Sequence, residues 1–274
     1  MELYKASRFF DDIQVYDAYT RYPLFKAQIA AFVDNAPDGS ISRRRVISVG
    51  PTVAFPQRRA VKWLSEIWLI GDTTQDGLQG MSLRKNAGAK KATDLFSVLT
   101  PGQAALGSAG TPTYGQKEYL KDITNVTSDS EYDAFWEISF SEAVSRGAYF
   151  VSGTTTYRAR GLHQLLEGYW VAAADQLDTS SVSVAFAGST FDPITETSSG
   201  STVNTPGLLV DGYKLFEYNH ASTAHMKAGD QTLVVAKSAI TPVVGATVSS
   251  SGVTWKILTV QSDSDAWNVH VRRQ

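Results

Sequence analysis

The chain contains no cysteine. That excludes disulfides, thiolate nucleophiles and cysteine-based zinc sites, and leaves packing or partners to supply stability. Charge is scarce as well: charged residues are 19% of the 274, below the usual quarter, and the formal net charge is only -2. Such a balance gives no global attraction to nucleic acid or to an anionic membrane. No stretch approaches the roughly eighteen apolar residues of a membrane span. Met1-Glu2-Leu3-Tyr4-Lys5 also lacks the basic-then-apolar pattern of a secretion signal. A soluble protein, made and assembled inside a cell and with no membrane partner, is therefore expected.

Motifs that carry chemistry are missing too. No Gly-x-x-x-x-Gly-Lys-Ser/Thr and no Gly-x-Gly-x-x-Gly lies between a strand and a helix, so nucleotide binding is not expected. No Gly-x-Ser-x-Gly elbow surrounds any serine. The four histidines, His163, His220, His225 and His270, show no metal-ligand spacing. A set of His220, His225 and Asp230 can be drawn, but its neighbours Asn219, Ser222 and Thr223 read as a polar turn. His163, with Glu167 close behind it, has the makings of a general base, yet such pairs are common on surfaces. Asp11-Asp12, Asp129/Glu131/Asp133 and Asp263/Asp265 offer paired acids, which read as solvated loops. The expectation is a protein with no catalytic residue, no metal and no cofactor, and so not an enzyme.

What is present is 43% hydrophobic residues together with abundant Ser, Thr and Gly, which suits turn-rich β structure. Val46–Val49, the run from Ala60 to Asp72, Phe135–Ile138, Gly147–Val151, Gly153–Arg160, Tyr169–Ala172 and Val182–Phe186 read as strands. A short helix is predicted over 23–33, where Leu24, Phe25, Ile29, Phe32 and Val33 fall at near-helical intervals after Pro23. Residues 75–118 are rich in Gly, Gln, Ala, Lys and Thr, with Pro101-Gly102 and Thr111-Pro112 as breakers. They read as a long insert, either disordered or a functional loop, which in an assembly protein orders on a partner. Residues 188–207, Ser- and Thr-rich, read as a linker or extended loop. After it Tyr213–Tyr218, Thr232–Ala236, Thr247-Val248, Thr254–Val260 and Ala266–Val271 suggest a small barrel or sandwich.

The expected fold is thus mainly β with a minor helical portion, built as one or two small β-barrel or sandwich modules with long loops. Its parts are a β-rich domain over 1–187, the 188–207 linker, and a barrel-like domain over 208–274. An internal echo supports two modules. Gly153 precedes Tyr157-Arg158 and then Trp170-Val171; Gly252 precedes Trp255-Lys256 and then Trp267-Asn268-Val269.

The most informative polar feature is a basic run: Arg43, Arg44, Arg45, Arg58, Arg59 and Lys62. The turn-like Val49-Gly50-Pro51 suggests a hairpin that joins both clusters. Such a hairpin offers guanidinium groups to an acidic partner or to DNA phosphates, the alternative being internal salt bridges in which Asp72, Glu66 and the acidic loops neutralise them. No helix-turn-helix or finger signature accompanies it, so sequence-specific reading is not expected.

The echoed stretches, Gly153–Arg158 to Val171 and Gly252–Ile257 to Arg272, resemble the small β-barrel proteins of tailed-bacteriophage necks: head-tail connector, head-closure or stopper, and tail-attachment proteins. The resemblance implies a structural virion protein of the head–tail junction, a homo-oligomeric ring linking the portal side to the tail. Its implied partners are portal or adaptor and tail proteins, with non-specific proximity to packaged DNA, in a virion assembled in the host cytoplasm. The alternative reading is a carbohydrate- or surface-binding β module of a phage tail or baseplate.

Overall fold

The computed structural model describes residues 13–31, 44–78, 81–119, 136–145, 147–159, 164–166, 169–187, 190–192, 194–195, 197–211, 227 and 229–274. They form three consecutive closed barrels. The first takes β1 (Ile13–Asp17), β2 (Pro23–Ala31), β3 (Arg44–Val49), β4 (Ala60–Trp63), β5 (Glu66–Leu78) and β6 (Met81–Ala92), closed as β1-β2-β3-β6-β5-β4. The second takes β7 (Asp94–Leu99), β8 (Thr111–Tyr119), β9 (Trp136–Phe140), β10 (Tyr149–Ser152), β11 (Thr155–Ala159) and β13 (Tyr169–Leu177). Its ring runs β7-β8-β9-β13-β11-β10, with β12 (Gln164–Leu166) added along β13. The helix α1 (Pro101–Leu106) lies between β7 and β8.

The third barrel takes β14 (Thr179–Phe186), β17 (Val203–Asp211), β18 (Gln231–Ala236), β19 (Thr247–Ser250), β20 (Val253–Asp263) and β21 (Ala266–Arg273). It closes as β14-β17-β18-β21-β20-β19, and a separate hairpin of β15 (Thr190–Asp192) and β16 (Thr197–Ser199) rises between its first two strands. Numbered along the chain with β12 set aside, all three rings share one strand order, 1-2-3-6-5-4. Closure leaves no free sheet edge around any ring.

The shared order extends to a turn. Strands 4 and 5 of each barrel are joined by two residues: Leu64-Ser65, Gly153-Thr154 and Ser251-Gly252. The first of each pair has positive φ (53°, 61° and 49°), which two-residue hairpin turns require. In each case the third residue of the strand that follows is aromatic: Trp68, Tyr157 and Trp255. The echo in the sequence is therefore strands 4 to 6 of the second and third barrels.

Each barrel has its own apolar interior. Trp63, Trp68, Ile70 and Ile47 fill the first, Phe96, Phe140, Phe150 and Tyr157 the second, Phe186, Leu233, Val269 and Ile257 the third. Two further clusters lie between barrels. Ala18, Ala60 and Leu69 meet Tyr169 and Val171, while Leu99, Ala105, Tyr149 and Leu177 meet Leu208, Val210, Val234 and Ala266. This explains why Ile67–Ile70 and Leu233–Ala236 are uninterrupted apolar runs. Trp68 and Ile70 enter the first barrel while Leu69 faces the second; Leu233 and Val235 enter the third while Val234 faces back.

The structure corrects several expectations. Residues 23–31 are strand, not helix: Phe25, Ala27 and Ile29 turn inward while Lys26 and Gln28 turn out, a period of two. Proline is tolerated at the first residue of a strand. The run Ala60–Asp72 is not one strand but the β4–β5 hairpin. The 75–118 stretch is not a loop; it holds the end of β5, then β6, β7, α1 and β8. Its alanines misled because Ala87 and Ala89 are the inward residues of β6, small enough to sit beside two indoles. There are three barrels rather than one or two, and the third begins at Thr179. Most of 188–207 is therefore inside a barrel's span, with Val203 already pairing in β17. The expected strand Tyr213–Tyr218 lies outside the described residues.

Candidate functional site

The expected basic hairpin does not form. In the first barrel β3 pairs with β2 and β6, whereas β4 pairs with β1 and β5, so two strands separate the arginine clusters either way around the ring. Arg43 lies outside the described residues and Arg44 is placed only as backbone in β3. Arg45 carries its guanidinium over the Trp68 ring, 5.4 Å from the centroid. Arg59 donates from Nη1 to the Gly71 carbonyl at 3.2 Å. Arg58 turns to the second barrel: Nη2 donates to the Pro112 carbonyl at 2.7 Å and to the Glu142 carboxylate, above the Tyr19 ring. Lys62 stands on the outer wall opposite Tyr16.

Arg58 belongs to a polar network across the first junction. Tyr19 Oη meets Ser141 Oγ at 2.5 Å and accepts from the Tyr114 backbone N–H at 3.0 Å, with the two tyrosine rings 5.0 Å apart. Burial raises the Tyr19 hydroxyl above its ordinary pKa, with the Ser141 hydrogen bond opposing. Lys90, buried on β6, donates to Ser139 Oγ at 2.9 Å and to Glu118 at 3.3 Å. The Lys90 side chain is buried, whereas Arg58, Glu142 and Glu118 stay partly open to water, so these charge-assisted bonds are only partly shielded.

The second junction is built the same way. Arg158 on β11 pairs with the Asp263 carboxylate on β20, and both side chains are largely buried. Asp263 also accepts from Asn268 Nδ2 at 3.3 Å. Two residues on, Asp265 accepts from the Gly102 backbone N–H at 2.8 Å and from Thr100 Oγ1 at 2.5 Å. It thus ties the start of α1 to the third barrel's last turn. A β-carbon on Gly102 would lie 2.6 Å from that carboxylate, so only glycine permits the approach. The Tyr149 hydroxyl, fully buried beside this pair, is pushed up to about 12 by desolvation.

A third cluster closes the end of the third barrel. Asp230 accepts from Arg272 Nε and Nη2, both at 2.7 Å, from His270 Nε2 at 2.9 Å and from the Lys227 backbone N–H at 2.8 Å. The Arg272 fork, foremost, holds its carboxyl well below the ordinary range. Because the folded value lies below the unfolded one, the stabilisation is fully present above the unfolded value near 4 and is lost as pH falls through the folded value. Asp230→Asn is accordingly expected to lower the melting temperature at neutral pH. The gap to the parent should narrow as acid approaches and protonates the parent carboxyl, a trend that melts at a series of pH values will read.

Among the described residues, the Glu142, Glu118, Asp263, Asp265 and Asp230 carboxylates are each engaged by a cation or a backbone amide between or within barrels. Among the described residues no three His, Asp or Glu side chains are placed to hold a metal ion. His163, His220 and His225 lie outside the described residues, and Asp230, the remaining member of the drawn metal set, faces a guanidinium instead. Also among the described residues, no helix is long and apolar enough to cross a membrane. Tyr19, Lys90 and Asp265 gave no sign in the sequence of their junction roles; only the Asp263/Asp265 spacing was visible. No family model, no curated protein and no solved structure matches the chain.

Proposed function

We propose that this chain is a structural subunit of the tailed-bacteriophage head–tail junction, one copy in a homo-oligomeric ring that joins the portal side to the tail. The observation that carries the reading is the locking of three like barrels into a continuous block. Apolar clusters occupy both junctions, with polar pairs across the first and a largely buried ion pair across the second, which suits a spacer of fixed length better than a hinged enzyme. Hairpin β15–β16 adds a contact element. Asp192 accepts from the Ile194 backbone N–H at 2.9 Å and from Thr195 Oγ1 at 2.9 Å, and the Ile194 side chain at the tip is 91% exposed. An apolar tip held out by the Asp192 hydrogen bonds is what a neighbouring subunit would bury.

The test is mass photometry of the purified protein together with electron-microscopy class averages of the particle it comes from. Closed rings, or copies arrayed at a capsid–tail joint, are expected, because a heterologous contact that does not close makes filaments. A chain that stays monomeric and enters no particle overturns the reading.

A further inference from the structure

We propose that the outer wall of the first barrel, formed by β4, β1 and β2, binds single-stranded nucleic acid without sequence preference. Residues 13–92 hold twelve lysines and arginines against six acidic residues. Several of those cations are taken up inside the block, as described for Arg58, Arg59 and Lys90, and Lys91 pairs with Glu66. Arg21, Lys26 and Lys62 have no ion pair or side-chain hydrogen bond among the described residues, and they share one wall. Strand register sets Lys62 opposite Tyr16 and Lys26 opposite Gln14 two residues along, with Arg21 in the turn that joins β1 to β2. Strand spacing and rise put the two lysines about 12 Å apart, a span of a few nucleotides. The acid of that turn is engaged: Asp17 accepts from the Tyr19 and Thr20 backbone N–H groups at 2.9 and 2.7 Å.

The aromatic side chains choose the occupant. Tyr22 is 71% exposed and Tyr16 38% exposed, beside these cations. Tyrosine faces next to a cationic track match unstacked bases and their phosphates, whereas a duplex keeps its bases stacked on one another. A second copy of the chain is the poorer occupant. In its described residues the second barrel's Asp94, Glu118 and Glu142 already face Lys117, Lys90 and Arg58.

The experiment is fluorescence anisotropy of the full chain with a labelled oligothymidylate, a duplex of equal length, and unlabelled polyglutamate as competitor, over a salt series. Three phosphate contacts predict a log–log salt slope of about -2 for the single strand. Lys26→Gln/Lys62→Gln should flatten that slope and weaken binding at least tenfold. Tyr22→Ala should weaken binding about tenfold with the slope unchanged, and Tyr22→Phe should restore it. These side chains are on the surface, so unchanged melting curves will show that the fold is intact. Four results overturn the proposal: no binding at low salt, no response to the lysine variants, a duplex bound equally with Tyr22→Ala silent, or displacement by polyglutamate as effective as by the oligonucleotide. The outcome does not depend on whether the chain forms rings, so the two readings stand or fall separately.

Discussion

Trp68→Ala is expected to cost about 3–5 kcal/mol, read as a fall in the urea midpoint with the slope unchanged. The indole is 2% exposed and stacks on Trp63 with centroids 4.6 Å apart and planes 8° from parallel. Around it stand Ala87 and Ala89, whose short side chains cannot move in to fill the space left behind. The same change should abolish the exciton signal that two stacked indoles give in circular dichroism, which locates the damage in the first barrel. Trp68→Phe separates two contributions. It keeps most of the ring's packing and removes an indole N–H that is buried without a hydrogen-bond partner, a donor whose desolvation opposes folding. Its cost should accordingly be much smaller than that of the alanine variant. Equal costs for the two would show that ring volume is not what Trp68 contributes.

The strands most easily read in the sequence are those with large side chains at period two. Val182, Val184 and Phe186 in β14, and Thr254–Val260 facing Ala266–Val271, came through because branched and aromatic residues alternate with polar ones. β6 did not, since its inward positions are alanines that need the indoles of β4 and β5 to make a core. β2 was misread because outward Leu24 and inward Phe25 and Ile29 together imitate a helical face. Of the three like barrels, two were visible as an echo through Gly153 and Gly252. The first was hidden because its matching turn, Leu64-Ser65, has no glycine at either position, although Leu64 takes the same positive φ.

The candidate site was less legible than the fold, and for a different reason. Six basic residues close in sequence look like one patch, but ring closure sends β3 and β4 to opposite walls. Arg58 finds Glu142 and Lys90 finds Ser139, across 84 and 49 residues of chain. Pairings at that separation follow from how one barrel abuts the next, which no local pattern encodes.

Arg158→Ala is expected to be as damaging as any core truncation, about 3–5 kcal/mol, because it leaves the Asp263 carboxylate buried with its cation gone. The two side chains retain only 9% and 14% of their exposure. Asn268 supplies a single further hydrogen bond, which does not neutralise the charge. The desolvation of that lone carboxylate, rather than the intrinsic strength of the pair, sets the size of the effect. Arg158→Met combined with Asp263→Leu therefore makes the discriminating variant, since it removes both charges and keeps apolar volume beside Tyr149. It should recover most of the loss, and the double-mutant cycle should report a coupling of several kcal/mol. If Arg158→Ala instead costs less than about 1 kcal/mol, as exposed pairs do, water reaches the junction. The join between the second and third barrels would then rest on the apolar cluster of Leu99, Leu177, Leu208 and Val234, with the Asp265 cap on α1 and the Thr179–Thr156 hydroxyl contact among its polar ties.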